Sequence, residues 1–316
     1  MSDRAPFLVT GVGGGYSSIS RMVAELLLRR GEPVRAMVHR DDGRADALRK
    51  LGADIVVGDL TRPGDVDAAL TGVTGVTRMF FNMSVSADYL EAAAVVCAIA
   101  DERGDLGVLV NMSQMTVSQM TSTSTDESRH QRLHWLAERI MNWSGLPVVH
   151  VRPTVFLDNP LFTVVASRSV AERGVLALPF GTGRTSPVAA TDVARVVAAI
   201  LQDPAGRIGQ VFELTGPAVL DIDGLAEQYT RGLGQSVTGS DLPHDDFVEL
   251  LSAVPGISSH TVQHLLTVAT LHRDDRYNRL TTDVEDVTGQ PAQSVEQYIA
   301  AHRELFSSPP QPGSEG

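Results

Sequence analysis

The sequence predicts an α/β protein, built on a Rossmann-type doubly wound parallel sheet with a smaller helix-rich C-terminal region. Two observations predict this class. Within residues 1–153, short β-branched runs alternate with longer amphipathic stretches, as expected of successive strand–helix units. The predicted strands are also apolar almost throughout, which is typical of a parallel sheet covered by helices on both faces.

The predicted elements of this first half follow one another without long gaps. The strands are Phe7–Thr10, Val34–His39, Asp54–Val57, Arg78–Asn82, Val108–Met112 and Val148–Val151. The helices between them are Ile19–Arg30, Ala45–Leu51, Val66–Leu70, Tyr89–Glu102 and Gln131–Trp143. This order predicts a sheet whose ligand site lies beyond the carboxyl ends of its strands.

The pattern changes after Arg152-Pro153, so we divide the chain there. Residues 1–153 are the predicted NAD(P)-binding core, and residues 154–306 complete this core and form the substrate cleft. Residues 307–316, rich in Pro, Gly and Ser, are predicted to be a disordered tail. The predicted elements of the second part are helices Leu161–Arg173, Thr191–Gln202, Ile222–Leu233, Asp245–Ala253, His260–His272 and Ser294–Phe306, and strand Gln210–Thr215. Residues 114–128 and 174–187 are predicted loops, either lids or ordinary surface segments.

Composition limits the classes of partner. The net charge of −12 argues against direct nucleic-acid binding, which needs clustered Lys and Arg. The single cysteine, Cys97, excludes a disulfide within the chain and is expected to be buried and inert. An apolar signal segment and a membrane-spanning run are both missing from the sequence, so we expect a cytoplasmic protein.

A glycine-rich turn follows the first predicted strand, and a helix is predicted to begin at about Ser18. Glycines at such a turn let the backbone approach a pyrophosphate, and the free N–H groups of the helix N-terminus bind it. The context predicts a dinucleotide site, although a purely structural turn would have the same pattern. The predicted contacts are Thr10, Gly11, Gly13, Gly14, Gly15, Tyr16 and Ser17.

The same residues resemble a known family. Thr10, Gly11 and Gly14 match the Thr-Gly-x-x-Gly-x-x-Gly fingerprint of NmrA-like atypical short-chain dehydrogenases, a group that includes quinone-oxidoreductase-like proteins. Ser17 stands where the family has its third glycine. The resemblance covers about residues 6–240 and implies a Rossmann fold that binds NAD(P)H.

The end of the second predicted strand favours NADP(H) over NAD(H). NAD-preferring enzymes usually have an acidic residue here, which accepts hydrogen bonds from the ribose hydroxyls. Arg40 instead offers a guanidinium fork suited to a 2′-phosphate, a contact that the resemblance also implies. The alternative is a solvated Arg40 paired with Asp41 or Asp42.

Two further pairs of residues are predicted to contact the cofactor. The resemblance implies that Asp59 and Leu60, after the third strand, flank the adenine ring, although Asp59 could equally be a cap or turn residue. Asn82 and Met83 follow the fourth strand, where backbone groups would face the ribose.

The catalytic position departs from the family pattern. Ser113 closes the fifth strand and matches the serine that binds a substrate carbonyl in the superfamily. Extended members then carry Tyr-x-x-x-Lys-x-x-x-Glu, followed by a glycine. Glu138 and Gly145 are present, but counting back from Gly145 places His130 and His134 where tyrosine and lysine are expected.

The two histidines lie at i and i+4 on one helical face and admit three interpretations. His130 could transfer the proton that tyrosine handles in other members, since an imidazole titrates near neutral pH. Metal binding is disfavoured because a clear third ligand is missing, so no metal is predicted. The two rings could also line the cleft without taking part in chemistry.

The leading hypothesis is an NADPH-dependent oxidoreductase acting on a small carbonyl or quinone-like molecule. Ser113 would polarise the acceptor oxygen, His130 would protonate it and His134 would hold the nicotinamide ribose. The missing Tyr–Lys pair keeps a second hypothesis open, a non-catalytic NADP(H) sensor with a regulatory protein partner. An isomerase that uses bound cofactor without net redox change is the third. A homo-oligomer is compatible with each of them.

Overall fold

The computed structural model describes residues 4–13, 19–71 and 75–306. Its strands are β1 (Phe7–Val9), β2 (Val34–Val38), β3 (Asp54–Val57), β4 (Arg78–Phe81), β5 (Val108–Met112), β6 (Val148–Pro153), β7 (Val175–Leu178), β8 (Val211–Leu214) and β9 (Thr238–Asp241). Its helices are α1 (Ile19–Arg29), α2 (Gly43–Lys50), α3 (Pro63–Leu70), α4 (Tyr89–Arg103), α5 (Arg129–Trp143), α6 (Ser167–Arg173), α7 (Ala190–Gln202), α8 (Ile222–Leu233), α9 (His244–Ser252), α10 (Ser259–Arg273), α11 (Asp283–Thr288) and α12 (Val295–Ala301). The predicted α/β class is confirmed.

Seven parallel strands form one sheet in the order β3-β2-β1-β4-β5-β6-β8. The strand order reverses between β1 and β4, the place where open α/β sheets bind ligands beyond their carboxyl ends. Strand β8 comes from the second part of the chain and pairs with β6, so this sheet draws on both sides of residue 153.

Helices cover both faces of the sheet, as the apolar strands predict. On one face, α1 and α7 pack together over Val9, Val110 and Val151. On the other face, α3, α4 and α5 pack over Leu8 and Met79. The central strands β1, β4 and β5 therefore bury both of their faces, whereas the edge strand β3 is partly exposed.

Cys97 lies on α4 within the second of these layers and is buried, as predicted. Burial raises the pKa of its thiol to about 11. The thiol is therefore protonated near neutral pH, in keeping with an inert core residue.

The C-terminal region has its own apolar core, where the prediction needs corrections. Residues 174–187, predicted to be a loop, contain β7, which pairs with β9. Leu176 and Leu178 of β7 are buried in that core. The prediction missed this short strand because the surrounding Gly and Pro residues are typical of loops. Helix α11 and strand β9 were not predicted, because both are short and mostly polar.

Three boundaries also differ from the prediction. The helix predicted at Leu161–Arg173 begins with a wide π-helical stretch at Leu161–Ala166. The last predicted helix ends at Ala301 and is followed by a separate 3-10 turn, Arg303–Phe306. The predicted loop 114–128 begins with a 3-10 helix, Met115–Gln119. The predicted tail, residues 307–316, lies outside the described residues.

Candidate cofactor and active site

The turn after β1 passes very close to the end of β4. The Thr10 hydroxyl donates a hydrogen bond to the Asn82 carbonyl (2.8 Å), and the Asn82 N–H donates one to the Thr10 hydroxyl (3.0 Å). Gly11 has φ of 74°, and a Cβ there would lie 2.6 Å from the Asn82 oxygen. Glycine is therefore required at this position, both for its backbone conformation and for the close approach.

At Gly13, two residues further on, a Cβ would have no atom of the described residues within 4 Å. Against the described residues, the turn is thus tight at Gly11 and open at Gly13, a combination that a phosphate-binding turn needs. The predicted contacts Gly14, Gly15, Tyr16 and Ser17 lie outside the described residues. Asn82 itself supports the turn, since its side-chain amide donates to the Ser20 hydroxyl (2.9 Å).

A cavity of about 370 Å³ opens beside this turn, at the carboxyl ends of β1 to β4. Most of the described residues that were predicted to contact the cofactor line it. Its lining consists of Thr10, Gly11, Gly13, Met37, Val38, His39, Arg40, Arg44, Gly58, Asp59, Leu60, Met83, Ser84 and Ser86. Of these, His39, Arg44, Ser84 and Ser86 are polar residues that the sequence analysis did not single out.

The end of β2 contributes a basic rim to the cavity. The alternative in which Arg40 pairs with Asp41 or Asp42 is not what the structure contains: Asp41 accepts from Arg49 (3.0 Å) and Asp42 from Arg44 (2.5 Å). In the described part of the chain, Arg40 has neither an ion pair nor a hydrogen bond. Arg40 thus lines the cavity, and its guanidinium donates to none of the described residues.

Arg44 and Asp42 form a solvent-exposed pair at the start of α2. Hydrogen bonds from the Arg44 side chain and then its backbone N–H lower the pKa of Asp42 to about 2. Such exposed pairs contribute little to stability, so Arg44 can exchange its carboxylate for another anion at small cost. Arg44 lies in the first turn of α2, whereas Arg40 precedes the Asp42 cap of that helix, and both residues line the cavity.

Asp59 keeps its carboxylate fixed at the cavity wall. It accepts hydrogen bonds from the backbone N–H (2.9 Å) and the hydroxyl (2.8 Å) of Thr61, and these lower its pKa. Its own N–H donates to the Asp65 carboxylate (2.9 Å). Asp59 is therefore a turn residue that also lines the cavity, and its contact with adenine stays a prediction.

Ser113, predicted to bind a substrate carbonyl, lies directly after β5 and is buried. Its hydroxyl makes no well-formed hydrogen bond in the described part of the chain, although it lies close enough to Glu138 to help to lower the pKa of that carboxyl. A buried hydroxyl with unused hydrogen-bonding capacity can donate to a ligand oxygen.

Glu138 is held by Arg152, whose Nε and Nη2 donate to its two carboxylate oxygens at 2.9 and 2.6 Å. Burial alone would raise the pKa of Glu138, but the hydrogen bonds and charge of Arg152 outweigh burial and lower it. The other side of Arg152 faces Glu213 of β8 at 3.8 Å. A buried ionic network thus fixes α5 to the central strands.

The two predicted catalytic histidines contact each other. His130 and His134 are 4% and 6% exposed, and their Nε2 atoms lie 3.1 Å apart. Ser128 caps the start of α5 by accepting from the Gln131 N–H (3.1 Å), so the helix begins just before His130. The ring of His134 also packs on Tyr89, at 4.0 Å between centroids, and the Tyr89 hydroxyl donates to the Met112 carbonyl (2.7 Å).

Two further histidines, not predicted to take part, complete what we call the histidine cluster: His130, His134, His260 and His264. His260 Nε2 lies 3.5 Å from His130 Nδ1, and the ring of His264 meets that of His130 edge to face at 4.8 Å. His264 Nδ1 lies 2.9 Å from the Ser128 hydroxyl. Helix α10 thus covers α5 at this point. The repeated His-x-x-x-His spacing, present in both helices, was the available signal.

Three members of the cluster, His130, His134 and His264, are held uncharged. Burial, followed by the neighbouring imidazoles, lowers the pKa of His130 far below its ordinary value. Burial likewise lowers the pKa of His134 to about 3 and that of His264 to about 4. Among the described residues, a group of three or more His, Cys, Asp or Glu that could hold a metal ion is absent.

The cavity and the cluster adjoin. Ser86, which lines the cavity, presents its backbone to the ring of His130.

In the part of the chain that the structure describes, none of the helices is both long and apolar enough to cross a bilayer.

Comparison with known proteins agrees with this geometry. A profile of the NAD(P)H-binding family matches residues 14–204. An NAD(P)H azoreductase from Xenophilus azovorans is 25% identical over 299 residues, which cover 94% of this chain and 99% of that protein. The match therefore includes the C-terminal region as well as the sheet.

Solved structures share the fold. The NADPH-dependent quinone oxidoreductase QOR2 of Escherichia coli, complexed with NADPH, has a TM-score of 0.78 at 20% identity, covering 93% of this chain and 99% of that chain. Nmra, a negative transcriptional regulator in complex with NAD, has a TM-score of 0.76 at 16% identity, covering 95% of this chain and 96% of that chain. At these identities the likeness concerns the fold.

Proposed function

The chain belongs to the NAD(P)H-binding family, and from this premise we propose that it is an NADPH-dependent oxidoreductase that reduces a small carbonyl or quinone-like acceptor. The observation that carries the proposal is the cavity at the carboxyl ends of β1 to β4, tight at Gly11 and basic at Arg40. The names of the azoreductase and quinone oxidoreductase relatives support the same class of reaction.

The cavity fits an adenosine 2′-phosphate. Arg40 offers unused donors, and Arg44 can exchange Asp42 for the phosphate. Asp59 and Leu60 provide the adenine wall, and the open side of Gly13 leaves room for the pyrophosphate. These residues together favour NADP(H) over NAD(H).

The acceptor would lie where the cavity meets the histidine cluster. Bound NADPH supplies a hydride there. Ser113 has the unused hydroxyl needed to donate to an acceptor oxygen, and His130 lies next to Ser86 at the edge of the cavity. His134 holds the ring of His130 through their 3.1 Å contact, and its predicted ribose contact stays a prediction.

The direct test has two parts. Calorimetric titration with NADPH and NADH should give tighter binding of NADPH, and no association with either would refute the proposal. Oxidation of NADPH at 340 nm should then follow the addition of at least one member of a panel of quinones, aldehydes and azo dyes. Ser113→Ala and His130→Phe should slow turnover, and rates unchanged in both would remove these residues from the site while leaving the class of enzyme.

One observation favours a second candidate function, an NADP(H)-responsive regulator. The positions of the family's Tyr–Lys pair hold two neutral, buried histidines under α10, which is a poor arrangement for delivering protons. The structural likeness to Nmra, a negative transcriptional regulator, points the same way. Tight NADPH binding without turnover on any acceptor in the panel would favour this function over reduction.

A further inference from the structure

The members of the histidine cluster differ in their access to water. His130 and His134 are buried, whereas His260 is half-buried and lies at the rim of the cluster. A buried imidazole surrounded by other imidazoles is held neutral, and a neutral imidazole is a very weak acid. His260 keeps contact with water, which solvates an imidazolium and can exchange protons with it.

The contact between His260 and His130 is loose. Their facing nitrogens, Nε2 and Nδ1, are 3.5 Å apart, longer than the 2.7–3.2 Å or so of a good hydrogen bond. The two rings meet edge to face with centroids 5.4 Å apart. An oxygen atom that approaches beside this pair can lie within hydrogen-bond distance of both nitrogens.

The position of the pair relative to the cavity is suitable for an acceptor. His130 contacts the backbone of Ser86, which lines the end of the cofactor cavity. His260 lies against His130 on α10, which comes from the C-terminal region, with its Nε2 atom 3.5 Å from His130 Nδ1. An acceptor oxygen that reaches His130 Nδ1 is therefore also close to His260 Nε2.

We propose that His260 is the proton donor of the reductase reaction, an inference that presupposes the function proposed above, and that His130 orients the acceptor as a neutral partner. The acceptor carbon takes a hydride from NADPH, its C=O π pair moves to oxygen, and that oxygen takes the Nε2 proton of His260. The His260 imidazolium becomes neutral and regains a proton from water.

The groups that face His260 are consistent with proton donation by His260 and orientation of the acceptor by His130. His130 lies opposite it on α5, and His264 lies one turn further along α10. Both are held neutral, so a charge on His260 meets no second cation within the cluster. Glu138 acts on His134, where its charge partly offsets the lowering of the pKa by burial.

The experiment compares His260→Ala and His260→Gln with the matched variant His302→Ala. His302 lies after α12, which packs against α8, away from the cluster. With an acceptor that the wild-type chain reduces, we expect kcat to fall about 100-fold in both His260 variants, the low end for loss of a general acid. Added imidazole should restore part of the rate to His260→Ala but not to His260→Gln. His302→Ala should keep the wild-type rate.

Two readouts separate this role from a structural one. NADPH affinity should be the same in all three variants as in wild type, which verifies that they fold. In His260→Ala, the rate restored by added imidazole derivatives should depend on the pKa of the derivative, because the added acid then delivers the proton. Unchanged kcat in the His260 variants, or a rate in His260→Ala that no imidazole derivative changes, would overturn the inference while leaving the proposed function. Absence of turnover by the wild-type chain would overturn both.

Discussion

The cofactor cavity and the histidine cluster lie side by side but are built in different ways. The cavity is formed by chain turns at the ends of four consecutive strands, with an open side at Gly13 and exposed arginines at its rim. The cluster is formed by side chains of two helices that are 130 residues apart in sequence and is closed by their packing. A site built from backbone turns can keep its shape when neighbouring side chains are replaced. A site built from buried polar side chains needs each of its hydrogen-bonding and packing partners to keep its structure.

The two regions should therefore respond differently to mutation. At the rim of the cavity, changes of exposed side chains should act mainly on ligand affinity, whereas Gly11 also affects stability because its turn is tight. Around the cluster, changes should act on stability as well, because removing one partner leaves a buried polar or charged group unsatisfied. The four predictions that follow run from the largest expected effect to the smallest.

Loss of the buried ion pair beside the cluster should have the largest effect. Glu138→Ala leaves the guanidinium of Arg152 without its bidentate partner, so we expect a loss of about 3–5 kcal/mol in the free energy of unfolding. Urea denaturation measures it. The matched control is Glu172→Ala, which breaks the exposed pair with Arg168 and should change stability little. Equal effects in the two variants would mean that burial does not distinguish these pairs.

Gly11→Ala should come next. A Cβ at φ of 74° is strained and would lie 2.6 Å from the Asn82 carbonyl oxygen, so about 1–3 kcal/mol of stability should be lost. NADPH affinity should fall with it, because the turn must move. Gly13→Ala is the control in thermal denaturation, since a Cβ at Gly13 meets no atom of the residues that the structure describes. If Gly11→Ala melts at the wild-type temperature, the close approach of Gly11 to Asn82 does not limit this position to glycine.

Arg40→Ala should affect only the choice of cofactor. Loss of a charge-assisted contact to the 2′-phosphate is expected to weaken NADPH binding about tenfold, equivalent to about 1.4 kcal/mol, and to leave NADH binding unchanged. Fluorescence titration with both nucleotides measures this. Arg49→Ala, which removes a guanidinium already paired with Asp41, is the control and should leave both affinities intact. Parallel weakening of NADH would indicate that Arg40 does not contact the extra phosphate.

Of the four changes, a modest lowering of the pH should have the smallest effect on the free energy of unfolding. This effect arises from the histidine cluster. Burial holds the pKa of His134 at about 3 in the folded chain, against 6.5 for the unfolded group. Below pH 6.5 the unfolded chain binds a proton that the folded chain does not, so stability falls as pH falls through this range toward 3. The slope is at most about 1.4 kcal/mol per pH unit for this histidine.

Urea midpoints at pH 7.5, 6.5 and 5.5 measure that slope, and they should decline mainly across the lower interval. The lowered pKa of Glu138 acts in the same direction but at more acidic pH, because carboxylates titrate lower. His134→Gln should make the decline between pH 6.5 and 5.5 shallower without abolishing it, because the lowered pKa values of His130 and His264 act in the same direction. The same slope in the variant and the wild type would assign the pH dependence to other groups.

The sequence by itself determined the sheet and the cavity turns. Apolar strands alternating with amphipathic helices predict a parallel sheet, and Thr10-Gly11 after the first strand predicts the phosphate turn, because both signals lie within a few neighbouring residues. Arg40 could be identified for the same reason. Strands β7 and β9 could not, since each is only four residues long and they pair across about 60 residues.

Only the tertiary structure decided what surrounds the predicted histidines. The sequence placed His130 and His134 on one face of a helix, but not the packing of α10 that brings His260 and His264 against them. Nor did it predict that Arg152 of β6 would form an ion pair with the Glu138 carboxylate. Charge state and access to water depend on what packs around a group, and contacts between distant segments leave no local pattern from which this packing can be read.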